Sequence, residues 1–190
     1  MKIGVLALQG AFAEHEKVLE QLGAECIELR QDRDLSEPYD ALVLPGGEST
    51  VQGKLLKELG MFDIMKSQIE NGMPVLATCA GAILLAETID GQMKGQPEQY
   101  FGTIPMCIRR NAYGRQLGSF HTEAQVAGIG TVPMTFIRAP YIASVEDGVE
   151  VLAVVEERIV GVKYKNQMAF SFHPELDPDV RIHKAFLKMI

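Results

Sequence analysis

The chain opens on an apolar run and then changes period. Lys2–Gln9 is apolar through most of its length, which predicts a strand buried on both faces. From Ala11 to Leu22 the apolar positions recur at helical spacing, and Gly23 supplies a stop signal. Glu25–Arg30 reads as a second strand and Ala41–Leu44 as a short third, running into Pro45-Gly46-Gly47. Helices are predicted over Thr50–Leu59 and Met61–Asn71, ended by Gly60 and Gly72. Pro74–Thr78 is a further buried strand and Ala80–Thr88 a helix. Strand and helix alternating in this way imply a parallel sheet with helices on both faces.

The second half has a different texture. From Gly102 to Phe172 the segments are short, alternating and punctuated by Gly, Pro and Asn, which predicts antiparallel strands added to the parallel sheet. Asp179–Met189 is read as a closing helix that packs back on the sheet. No repeat or linker marks a boundary, so residues 1–190 are expected to form a single α/β domain. In open parallel sheets, ligands bind beyond the carboxyl ends of the strands. The loops at that edge are Gln9–Ala11, Pro45–Thr50, Thr78–Gly81 and His173–Glu175.

Composition narrows the function. Hydrophobic residues at 47% and charged ones at 23% are ordinary for a globular domain and exclude a disordered or fibrous chain. A net charge of −7 argues against a generic nucleic-acid binder, although local arginines can still hold small anions. The start reads as a strand and not as a secretory leader. The longest weakly polar stretch, Pro74–Ala86, falls short of the roughly 20 residues that span a bilayer. Cys26, Cys79 and Cys107 are odd in number and lack metal-ligand spacing, as expected of free thiols in a reducing cytoplasm.

Chemistry concentrates at Val75–Ile83, where a strand runs directly into a helix with Cys79 at the corner. Small residues on either side allow a sharp turn that exposes the side chain, the form of a nucleophile elbow. A helix N-terminus under a thiol favours the thiolate and offers N–H groups to an anion. The competing reading is a small buried side chain. A thiol nucleophile needs a base, and there are four histidines. His15 and His183 have charged neighbours in predicted helices and are expected to be solvated. Ser119–Glu123 and Ser171–Glu175 are near duplicates, each with a carboxylate two residues after its histidine. His121 sits within a continuing strand, on a face shared with Ser119, Glu123 and Gln125. His173 instead precedes Pro174, which ends a ladder and releases His173 and Glu175 at a strand end. That favours His173 as the base. In Leu44–Thr50 two glycines allow backbone N–H groups to turn toward a developing oxyanion. A phosphate loop would need a lysine and a glycine spacing that are absent, and a plain tight turn is the remaining alternative.

Together with Gly4–Phe12, Arg110–Gln116 and Phe136–Pro140, these segments resemble the class I (triad) glutamine amidotransferases over essentially the whole chain. Arg110–Gln116 and Phe136–Pro140 resemble the glutaminase branch that serves pyridoxal 5′-phosphate synthesis. The resemblance implies a flavodoxin-like three-layer fold with a mixed, mainly parallel sheet, and hydrolysis of L-glutamine to glutamate and ammonia. It implies Cys79 as nucleophile, His173 as base and then acid, and Glu175 as the group that orients it. Gly47 and Ala80 would supply the oxyanion N–H groups. Gly47, Glu48, Ser49, Arg110, Ile137 and Arg138 would line the glutamine pocket, and Gln9 and Gly46 would set the orientation of the Gly46–Gly47 peptide. No metal and no cofactor is called for. The ammonia would pass to a separate pyridoxal 5′-phosphate synthase barrel subunit that also consumes a pentose phosphate and a triose phosphate. One departure stands out: Ala77 occupies the position two before the nucleophile, where that family usually has glycine. A cysteine hydrolase of similar fold and a non-catalytic regulatory module are the alternatives, the latter normally lacking part of the triad.

Overall fold

The computed structural model describes residues 1–90, 100–110 and 119–190. In chain order the elements are β1 (Lys2–Leu6), α1 (Phe12–Gln21), β2 (Glu25–Leu29), β3 (Ala41–Leu44), α2 (Ser49–Glu58) and α3 (Phe62–Glu70). They continue with β4 (Val75–Thr78), α4 (Ala80–Leu85), β5 (Ala86–Ile89), β6 (Ile104–Arg109), β7 (Ser119–Val126) and β8 (Gly130–Ile137). β9 (Tyr141–Val145), β10 (Glu150–Val155), β11 (Arg158–Tyr164), β12 (Gln167–Phe170) and α5 (Arg181–Leu187) complete the chain. Two short 3-10 turns, Asp32–Ser36 and Pro174–Leu176, lie between these elements.

The main sheet runs β2-β1-β3-β4-β12-β11-β10-β7-β8. The pairings from β2 through β12 are parallel, and those from β12 outward are antiparallel. β5, β6 and β9 form a branch joined to the main sheet through β9 and β11. Because β1, β3, β4 and β12 are parallel neighbours, their carboxyl ends share one edge, and the four loops singled out above all lie there.

The pattern of burial explains the parallel core. Along β3, Leu42 and Leu44 enter one apolar cluster with Leu56, Met65 and Ile69, while Ala41 and Val43 enter a second with Ile182 and Phe186. This period-2 split puts α2, α3 and α4 on one face of the sheet and α1 and α5 on the other. A strand covered on both faces must be apolar at every position, as Ala41–Leu44 is.

The closing helix packs back on the sheet as expected, through Ile182 and Phe186. The helix predicted over Ala80–Thr88 is shorter. It ends at Leu85, and Ala86–Ile89 becomes β5, pairing in parallel with β6 through Ala86–Ile104 and Ile89–Ile108. The β-branched Thr88 and Ile89 are at home in that strand, but the partner that draws them there is distant in sequence. Among the described residues no helix is long and apolar enough to cross a membrane.

Candidate active site

The loops after β1, β3, β4 and β12 converge on one cavity of about 300 Å³. Gln9, Gly46, Gly47, Glu48, Ser49, Cys79 and His173 line it, and Arg110, Ile137 and Arg138 complete its wall. Each of these residues was singled out in the sequence, from segments far apart along the chain.

Cys79 caps the N-terminus of α4 with φ 48° and ψ −102°. A non-glycine residue held at positive φ costs roughly 1–3 kcal/mol. The fold outweighs that cost locally. Val75 and Leu76, just before the turn, are fully buried, each worth about 1.5–3 kcal/mol. The Cys79 N–H also donates to the Phe170 carbonyl at 2.8 Å. Ala77 keeps regular parallel pairing with Leu44 and Ala169 and is itself fully buried, so its methyl is accommodated inside the sheet. Glycine is indispensable on the other side of the nucleophile, because a Cβ at Gly81 would lie 1.9 Å from the Leu44 carbonyl oxygen. Ala80 opens α4, and the first N–H groups of a helix have no partner within it.

β12 stops at Phe170, earlier than Pro174 alone would require, and the His173 N–H is caught by the Thr135 carbonyl of β8 at 2.8 Å. His173 Nδ1 lies 2.6 Å from Glu175 Oε1, with both side chains buried. That leaves Nε2 free of the carboxylate, in a ring that lines the same cavity as Cys79. Burial alone would push the imidazole down. The Cys79 hydrogen bond and the Glu175 carboxylate outweigh it and raise the pKa to about 10. Burial likewise pushes the Glu175 carboxyl up, but His15, then the hydrogen bond and charge of His173, hold it below the ordinary carboxylate value. His121 differs in every respect. It is on β7 with its side chain 55% exposed, its Nδ1 is 3.1 Å from Thr135 Oγ1 and 3.6 Å from Asp177 Oδ1, and it does not line the cavity.

The glycine loop is tied to its neighbours. Gly46 donates its N–H to Thr78 Oγ1 at 3.1 Å, and its carbonyl accepts from the Ala11 N–H at 3.1 Å. Gln9 Oε1 accepts the Glu48 N–H at 2.7 Å, while Gln52 Nε2 donates to the Gln9 carbonyl at 2.9 Å. The contact between Gln9 and the loop, left open by the sequence, is therefore present. Gly47 has φ 157°, and a Cβ there would meet Gln9 Oε1 at 2.5 Å. Arg110 Nη2 reaches Glu48 Oε1 at 3.1 Å, so a cation and an anion stand side by side on the cavity wall. Ser49 is buried at the start of α2, and its Oγ has no partner among the described residues. Ile137 and Arg138 are exposed, Arg138 at φ 44°, on a turn anchored by the buried Phe136 and Ala139. Of the segment Arg110–Gln116, residues 111–116 lie outside the described residues.

Two expectations are overturned. His15 and His183 are not solvated; both are fully buried. His15 Nδ1 lies 3.0 Å from His183 Nε2, and its Nε2 is 3.0 Å from Thr78 Oγ1 and 3.3 Å from Glu175 Oε2. The charged neighbours Glu14, Arg181 and Lys184 are exposed and Glu16 is half-buried, while the histidines sit on the inward stripe of their helices, His15 with Val18 and Leu19, His183 with Ile182 and Phe186. That stripe was the available signal. Among the described residues no group of three or more His, Cys, Asp or Glu side chains is arranged to hold a metal ion.

A thiol at a helix start, sharing a cavity with an imidazole that is hydrogen-bonded to a carboxylate, can carry out acyl transfer. The profile of the SNO glutamine amidotransferase family matches residues 5–190. The chain belongs to that family. Among curated members it is 60% identical over 190 residues to the pyridoxal 5′-phosphate synthase subunit PdxT of Desulfitobacterium hafniense (strain Y51), covering all of this chain and 94% of that one. It is 54% identical over 192 residues to the PdxT subunit of Streptococcus pneumoniae serotype 2 (strain D39 / NCTC 7466), covering all of this chain and 97% of the relative. A solved structure described as a crystal structure of glutamine amidotransferase superposes with a TM-score of 0.91 at 43% identity, over 98% of this chain and 97% of that one. The mixed α/β sheet with helices on both faces is thus the fold of the glutamine amidotransferases.

Proposed function

We propose that this glutamine amidotransferase is the glutaminase subunit of a pyridoxal 5′-phosphate synthase, working in the cytoplasm as one amidotransferase domain. The reading rests on the cavity that joins Cys79, the His173–Glu175 pair at 2.6 Å and the Gly46–Gly47 loop. Cys79 attacks the side-chain carboxamide carbon of L-glutamine while His173 holds the thiol proton. The tetrahedral oxyanion is stabilised by the N–H groups of Gly47 and Ala80, each donor worth about 3 kcal/mol. His173 returns the proton to the departing amine as the C–N bond breaks, and ammonia leaves. Water, deprotonated by His173, then hydrolyses the γ-glutamyl thioester to glutamate and free thiol. Glu175 keeps the imidazole oriented and stabilises its charged form. The adjacent charges of Arg110 and Glu48 suit the α-carboxylate and α-ammonium of a free amino acid. Ser49, Ile137 and Arg138 complete that pocket.

Ammonia released into water becomes ammonium, a poor nucleophile, so the product has to pass directly to an acceptor. The acceptor is the pyridoxal 5′-phosphate synthase barrel subunit. Coupling favours a glutaminase that idles when alone. The Gly46–Gly47 peptide is the element able to turn, because glycines impose little steric penalty. Gly46's bond to the Ala11 N–H is worth about 1 kcal/mol net, within reach of a docking partner. A missing oxyanion donor corresponds to roughly a hundredfold in rate. Glutamate release under saturating glutamine is therefore expected to rise by that order when the barrel subunit is added. Equal turnover with and without it, once complex formation is verified, contradicts the gate.

Gly46 carries a second expectation. A Cβ there would lie 2.3 Å from His173 Cε1, so Gly46→Ala must push the imidazole out of line. A displacement of about 1 Å can cost roughly a hundredfold. Glutamate release should fall by about that factor while the circular dichroism spectrum stays that of wild type. Unchanged turnover would mean that the ring has room the packing denies it.

A further inference from the structure

Two buried imidazoles stand behind the triad with no part in the chemistry above, and their hydrogen-bonding options are few. His15, on α1, contacts His183 of α5 through Nδ1 and faces Thr78 and Glu175 through Nε2. His183 contacts His15 through Nε2, and its own Nδ1, buried, has no partner among the described residues. Burial holds both rings neutral, pushing His15 down and His183 down to about 3. A neutral imidazole carries one N–H. A proton on His183 Nδ1 would be a buried donor without an acceptor, costing about 1–3 kcal/mol, whereas a bare acceptor there costs less. The His183 proton therefore belongs on Nε2, donated to His15 Nδ1. That assignment forces the single proton of His15 onto Nε2, the atom 3.3 Å from Glu175 Oε2.

We infer that His15 is a positioning residue for the triad: its Nε2–H, fixed by His183, faces the second oxygen of Glu175 and keeps the first aimed at His173. The inference rests on the glutaminase reading of the site. Glu175 Oε1 is hydrogen-bonded to His173 Nδ1 at 2.6 Å, whereas its buried Oε2 makes no hydrogen bond among the described residues and lies 3.3 Å from His15 Nε2, whose own hydrogen-bond contact is Thr78 Oγ1 at 3.0 Å. The Glu175 backbone N–H adds support. Thr78 takes part as well, since its hydroxyl oxygen is within 3.0 Å of His15 Nε2 and accepts the Gly46 N–H. The same threonine thus links His15 to the glycine loop. The titratable groups around His15 are Glu175 and His173 from the chain end of β12, His183 from α5 and Glu14 from its own helix. Without the His15 N–H, the buried carboxylate loses a stabilising neighbour, its pKa rises, and it is free to rotate away from His173.

The test compares His15→Leu, which fills the site without a donor, with His15→Gln, whose side-chain amide can place an N–H near the former Nε2. Both are assayed as complexes with the barrel subunit beside wild type, and inactivity of wild type itself would count against the glutaminase reading instead. For His15→Leu, kcat is expected to fall roughly ten- to a hundredfold with little change in KM for glutamine. The acidic limb of its pH–rate profile should move to higher pH, and His15→Gln should recover most of both. A folded His15→Leu with wild-type kcat and pH profile, or a His15→Gln as impaired as His15→Leu, overturns the inference. Nitrogen-15 NMR of the wild-type rings needs no variant to fold: the Nε2–H tautomer at both His15 and His183 is expected, and an Nδ1–H tautomer at His15 overturns it.

Discussion

Cys79→Ala is expected to abolish glutamine hydrolysis, lowering glutamate release by at least about ten-thousandfold, the scale on which loss of a covalent nucleophile is felt. No other group in the cavity can take its place. Ser49 is buried at a helix start, and Cys26, whose thiol burial pushes up to about 12, is absent from the cavity wall. The fold should survive. Alanine keeps the Cβ at the φ 48° corner, and the N–H bond to the Phe170 carbonyl does not involve the side chain. A stability change within about 1 kcal/mol shifts Tm by roughly 2–4 °C in a chain of this size. Residual turnover near that of wild type would remove Cys79 from its role.

His173→Asn should be comparably damaging, and His121→Asn should leave most activity in place. The two histidines stand in nearly identical pentapeptides, so their different fates are set by position alone. His173 is buried between Cys79 and Glu175 and is raised to about 10 by the Cys79 hydrogen bond and the carboxylate against the pull of burial. At neutral pH it is the cation that a nucleophilic thiolate needs beside it. Asparagine can neither hold that charge nor shuttle a proton. His121 offers the solvent an edge and touches Thr135 Oγ1, a side chain whose backbone carbonyl, one bond network away, receives the His173 N–H. Exposed substitutions of that kind usually stay within about 0.5 kcal/mol. Steady-state glutaminase assays on both variants, with folding checked, separate them, and equal losses would refute the strand-end argument.

Much of this is legible in the amino-acid sequence. Ala41–Leu44 is apolar at every position because both its faces are covered, so its boundaries are those of the strand itself. Glycines at positions 23, 60 and 72 adopt positive φ just past the helices they were expected to end. The chemistry-bearing loops were identifiable because strand-to-helix corners at the sheet's carboxyl edge have a recognisable local form. What was not legible depended on partners far away in sequence. β5 exists because β6 lies alongside it, and nothing within Ala86–Ile89 announces that. His15 and His183 were misjudged from their charged sequence neighbours, which lie around the helix on another face. Spacing was the better guide, since His15 shares its stripe with Val18 and Leu19. Even so, periodicity places a histidine indoors without naming what it meets, and contact with Glu175 arises only when α1, α5 and the end of β12 are brought together.

Labelling with an electrophilic glutamine analogue, bearing a diazoketone in place of the carboxamide, tests the central assignment most directly. The analogue needs the same pocket and the same nucleophile as glutamine, and its adduct cannot be hydrolysed away. Intact-mass and peptide mass spectrometry of the complex with the barrel subunit are expected to find one equivalent bound, on Cys79, in step with complete loss of glutaminase activity. Inactivation with the label on Cys26, Cys107 or any other residue, or full labelling of Cys79 with activity intact, would contradict the account.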